Sequence, residues 1–108
     1  MSTSFTANVV LEAELPDRLA AGAAIVVTCK AAPVRRHTGY YGEWTVQTLM
    51  PFGERQQLVT QRAPSEARII KTLTGVASLL AEAGCDTVNV PFREGITAIN
   101  GIEVAAST

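Results

Sequence analysis

Between Pro64 and Gly84 the chain leaves the every-second-residue alternation of its neighbouring segments and adopts an apolar spacing near four. Ile69, Leu73, Val76 and Leu80 recur at i, i+4, i+7 and i+11, flanked by Ile70, Ala77 and Ala83, while Arg68, Lys71, Ser78 and Glu82 lie towards the other side. A lone amphipathic helix set among strands must bury its stripe, and the surface available for that is a sheet. Ser65 stands as N-cap, Glu66 in the first turn suits the helix dipole, and Gly84 supplies the stop. The pattern predicts one long helix over residues 65–84, about five turns.

The remaining segments read as strands. Ser4 to Glu14 alternates, with Phe5, Ala7, Val9, Leu11 and Ala13 on one side, and Leu15-Pro16-Asp17 breaks it. Arg18 to Gly22 is an Ala-rich connection that also suits a short helical turn. Ala23, Ile25, Val27, Cys29 and Ala31 then form a second alternating set that ends near Pro33. Glu43 to Met50 and Glu54 to Arg62 form a hairpin about Pro51-Phe52-Gly53, and the polar second strand suits a sheet edge. After the helix, Thr87 to Phe92 reads as a strand, and Ile96–Ile99 with Ile102–Ala105 flank the turn pair Asn100-Gly101. About four strands, one long helix, then about three strands predict an α+β fold: an antiparallel sheet with the helix packed on it.

A chain of 108 residues has material for one core, so residues 1–108 are expected to form a single domain with 105–108 as a loose tail. Hydrophobic content of 47% against 18% charged excludes a disordered chain. The longest apolar stretches, Leu19–Val27 and Gly75–Leu80, fall short of a membrane span, and Met1–Thr6 lacks a cationic start before an apolar block. A soluble, cytoplasmic protein is the expectation. Cys29 and Cys85 lack CxxC spacing and have a single histidine for company, which argues against a metal site. Two buried free thiols is the reading preferred to a disulfide.

Catalytic constellations are missing. His37 is the sole histidine, so a hydrolase triad has no orienting framework, and neither GxxxxGK[ST] nor GxGxxG occurs. Glu12 and Glu14 share a strand face where a divalent ion could sit, although exposed surface acids explain them as well. The expectation is a non-enzymatic protein with no cofactor and no metal.

What stands out chemically is Lys30 to Gly42, KAAPVRRHTGYYG. Lys30, Arg35, Arg36 and His37 could meet phosphates, and Tyr40 and Tyr41 could stack on bases. Charge is segregated: from Lys30 to Lys71 seven cations face three acids, a balance of +4, against −2 before and −3 after. Trp44 reads first as core; facing outwards it would complete a stacking platform with Arg55 and Arg62 on the paired strand. The expected activity is nucleic-acid binding, with single-stranded DNA the form that stacking suits. Against it stand a solvated hairpin loop and a protein-interaction module or homodimer that extends its sheet through Arg55–Arg62 or the Asn100-Gly101 hairpin.

Lys71 to Gly84, KTLTGVASLLAEAG, followed by DTVNVPF, resembles small accessory proteins of bacterial plasmids and other mobile elements. The order of four strands, a helix and more strands is similar to the first repeat and part of the second in Whirly-type single-stranded DNA-binding proteins, without their second helix. The likeness is one of topology and identifies no functional residue; the accessory or regulatory role expected here rests on the basic-aromatic segment and the segregated charge.

Overall fold

The computed structural model describes residues 8–101. In chain order it contains β1 (Val9–Val10), a 3-10 turn (Glu12–Glu14), α1 (Leu15–Ala20), β2 (Ala24–Arg36), β3 (Gly39–Leu49), β4 (Arg55–Leu58), β5 (Ile70–Thr72), α2 (Leu73–Ala83) and β6 (Thr97–Asn100). The class is α+β. Along the sheet the order is β1-β4-β3-β2-β6, and β5 pairs with β3 off that path.

The sheet is mixed, not purely antiparallel, because β1 runs parallel to β4. The expected strand from Ser4 to Glu14 is cut short for a local reason; its first part, 4–7, lies outside the described residues. The Glu14 carboxylate accepts the Leu11 N–H at 2.8 Å and tightens the chain into a turn. Pro16 then sits in the first turn of α1, where a missing N–H is harmless and its fixed φ favours helix. The residue read as a strand breaker is therefore a helix starter.

The helix expected over residues 65–84 is the shorter α2, and a second short helix, α1, forms near the Ala-rich connection that suits a helical turn. Thr72 caps α2, its Oγ1 accepting the Gly75 N–H at 2.9 Å, and Gly84 ends it at φ 111°. Eleven residues make about three turns. Ile70 belongs to β5 and is buried opposite Trp44 on β3, whereas Ile69 is 40% exposed. The first member of the apolar stripe, Ile69, lies in irregular chain just before β5, and its i to i+4 spacing to Leu73 runs across the strand without belonging to the helix. Thr72→Ala should lower stability by about 1 kcal/mol and Thr72→Ser by much less, read from urea unfolding. A midpoint unchanged in Thr72→Ala would contradict this cap.

One face of the sheet carries the core. Ile25, Val27 and Cys29 of β2 stand beside Thr48, Val46 and Trp44 of β3, with Val10, Leu58 and Ile70 alongside. Leu15 and Leu19 of α1 and Val76, Leu79, Leu80 and Ala83 of α2 close over them. Buried Thr48 donates to Gln56 Oε1, which also accepts from Arg18 Nε at 2.9 Å. Asn100 is buried as well. Its side chain accepts the Asn89 N–H and donates to the Asn89 carbonyl at 2.9 Å, which ties 89 to the end of β6. Asn100 therefore ends a strand with its amide engaged, and the partner strand expected at 102–105 lies outside the described residues, as does the expected tail. Thr87–Phe92 forms no strand.

β4 and β5 lie end to end along one edge of β3, since Gln47–Leu49 pair with Arg55–Gln57 while Tyr41 and Trp44 pair with Thr72 and Ile70. Between them the chain makes an excursion that the Arg68 N–H closes by donating to the Leu58 carbonyl at 2.9 Å. β4 also pairs with β1, so it is an interior strand and not the edge expected of Glu54–Arg62.

Candidate nucleic-acid interface

The stretch expected to be a loop is a β-arm. β2 and β3 pair from Ala24–Leu49 out to Arg36–Gly39, but β6 accompanies β2 only as far as Thr28, with Cys29 bonded to Gly95 and Ile96. Beyond that point the outer edge of β2 meets no described strand. Two register shifts, between Cys29 and Ala31 and between Ala31 and Val34, bend the ribbon at its root. Pro33 falls in the second, where an edge strand tolerates a residue without an N–H. Gly42 lies against this bend: a Cβ there would stand 2.8 Å from the Ala31 carbonyl oxygen and 3.0 Å from Pro33 Cα. A two-residue turn, His37-Thr38, closes the arm, with His37 at φ 52°.

Strand alternation sorts the arm's side chains onto two faces. On one, Arg35 lies over the Tyr40 ring at 5.9 Å, Tyr40 packs on Phe92 at 5.3 Å between centroids, and Phe92 reaches Trp44 at 6.4 Å. Trp44 anchors this series. It is fully buried, and its indole N–H donates to the Pro91 carbonyl at 2.8 Å. Burial corrects its inclusion among the binding residues: it presents no face for stacking because the core claims the ring. On the other face Val34, Arg36, Tyr41, Glu43 and Lys71 line a shallow depression of about 280 Å³ at the arm's root. Tyr40 and Tyr41 thus point to opposite sides and do not form one stacking surface.

Lys30, Arg35, Arg36 and His37 are all exposed on the arm, and Lys71 of β5 joins them. Among the described residues the ion pairs are Arg18 with Glu14 and Arg68 with Glu12, both away from the arm. Four permanent cations lie there with Glu43, and Glu94 stands at the root, close enough for its charge to act on Cys29. Arg55 and Arg62 are not part of this group. Arg55 pairs with Leu49 at the far end of β3, about 33 Å along the strand from Gly39, and donates to Gln47. Arg62 is exposed in the excursion between β4 and β5.

Lys71, which as a helical residue could with Arg68 extend a basic track, joins the site from β5 instead, and Phe92 is the contributor the sequence does not reveal, since it reaches Tyr40 only through tertiary packing. Cys29 and Cys85 are buried and unbridged, and burial pushes both thiols up from their ordinary pKa. No three His, Cys, Asp or Glu side chains gather into a metal-holding group among the described residues, and no helix there is long and apolar enough to cross a membrane. No family model, curated protein or solved structure significantly matches this chain.

Proposed function

We propose that this protein is a non-enzymatic nucleic-acid-binding factor that engages its ligand through the β-arm. The observation that carries the reading is a projecting ribbon whose exposed cations have no ion-pair partner among the described residues. Cations that belong to no ion pair approach a polyanion without breaking existing pairs. Neutralisation of phosphates supplies the affinity; Tyr41, 45% exposed, is the ring best placed to touch a base.

If Lys30, Arg35, Arg36 and Lys71 each meet a phosphate, a plot of log affinity against log salt should fall with a slope of about −3.6 on duplex DNA. The double variant Arg35→Ala, Arg36→Ala should bind more weakly and flatten the slope to about −1.8. Fluorescence anisotropy of labelled oligonucleotides at several salt concentrations measures both. Unchanged affinity of the double variant for every oligonucleotide would sink the proposal.

A second reading, a protein-interaction or homo-oligomeric module, draws on apolar exposure elsewhere. Phe52 is 94% exposed at the tip of the β3–β4 hairpin, and Ile99 is 60% exposed on the sheet face opposite the core. Sedimentation as a strict monomer at high protein concentration would remove its homo-oligomeric form.

A further inference from the structure

We propose that the arm enters the major groove of B-form DNA, a step that rests on its being the nucleic-acid-binding element. Three geometric observations carry it. The first is thickness: packed sheets sit about 10 Å apart, so one β-layer with side chains on both faces fills roughly that space. The major groove of B-DNA is about 12 Å wide and admits a two-stranded ribbon, whereas the minor groove, about 6 Å wide, does not.

The second is reach. The last strand pairing beside the arm is that of Tyr41 with Thr72, and Tyr40 just beyond it packs on Phe92. Past Tyr40, Gly39 and the His37-Thr38 turn extend by two residues, roughly 7 Å of rise, most of a groove depth of about 8.5 Å. His37 and Thr38 would arrive at the base edges as the ribbon root meets the phosphates.

The third is the distribution of charge. Arg35 shares a face with Tyr40, and Arg36 lines the opposite face with Tyr41 and Lys71. A groove has a phosphate row on each wall, and a ribbon inserted between them places one arginine towards each. A single strand offers one backbone and would leave half of the cations unused; it would also want aromatic rings on one side, whereas Tyr40 and Tyr41 diverge. Duplex RNA is excluded on shape, since its major groove is too narrow for side chains to read.

The test uses the unmodified protein with three labelled probes of one sequence: duplex DNA, duplex RNA and single-stranded DNA. Anisotropy titrations at low salt are followed by dimethyl sulfate footprinting of the bound duplex, because guanine N7 lies in the major groove. The expected result is duplex DNA bound about tenfold or more tighter than either other probe, with protection of N7 at the site. Equal or tighter binding of the single strand or the RNA duplex, or unprotected N7 on bound DNA, overturns groove entry while leaving nucleic-acid binding intact. Failure to bind any probe overturns both.

Discussion

Trp44→Ala should destabilise the protein by about 3–5 kcal/mol, a large share of the roughly 5–15 kcal/mol that holds a domain of this kind together. Two physical losses combine. The ring is fully buried among Val46, Cys29 and Ile70, so truncation leaves a void that a curled sheet under two short helices fills poorly. The Pro91 carbonyl also loses the indole N–H that approaches at 2.8 Å. Trp44→Phe separates these contributions, since it keeps most of the volume and removes the donor; it should cost about 1–3 kcal/mol. Because Trp44 is the sole tryptophan, unfolding of both variants is followed by far-UV circular dichroism in urea. A loss under about 1 kcal/mol for the alanine variant would contradict the packing described.

Gly42→Ala should have the second largest effect, and a different character. An added Cβ would meet two backbone atoms, the Ala31 oxygen at 2.8 Å and Pro33 Cα at 3.0 Å, neither of which can rotate aside as a side chain would. The bend at the arm's root has to open, with a stability loss of about 1–3 kcal/mol. Gly39→Ala is the control: a Cβ there meets the Tyr41 ring at an ordinary 3.6 Å. Opening the root reorients Arg35 and Arg36, so oligonucleotide affinity should drop in Gly42→Ala at temperatures where it remains folded, whereas Gly39→Ala should keep the parent's urea midpoint. Equal urea midpoints in the two variants would show that the bend tolerates a methyl group.

Local chemistry was legible in the sequence, and relations between distant segments were not. The Pro51-Phe52-Gly53 turn, the Gly84 stop and the inward set Ile25, Val27 and Cys29 each depend on a few adjacent residues, and each appears as expected. The α+β class followed from them. The parallel pairing of β1, by contrast, depends on where Val9 and Val10 meet Gln57 and Leu58, which no local period encodes. The helix was drawn too long because Ile69 fits the spacing of Leu73 and Val76 while being held outside the helix by the strand that Ile70 forms on Trp44. For the site, composition identified Arg35, Arg36 and His37, yet register decided that Arg35 and Arg36 face apart and that Arg55 lies far away. The burial of Trp44 was the reading preferred from its type, and Phe92 and Pro91 supplied the surroundings that type alone could not name.

The end-to-end placement of β4 and β5 beside β3 makes the neighbour of a single strand out of two separate pieces of chain. Their junction is a single hydrogen bond, from the Arg68 N–H to the Leu58 carbonyl, and everything between leaves and rejoins at nearly the same point. Such a detour can change in length with little strain on the ladder, because doubling a flexible loop adds only about 0.6 kcal/mol of closure entropy. The segment around Gln61 to Glu66, exposed apart from Ala63, is thus the place where this architecture can accept foreign sequence, a tag or a whole inserted module, while the pairing of β2 with β3 that builds the arm is left untouched.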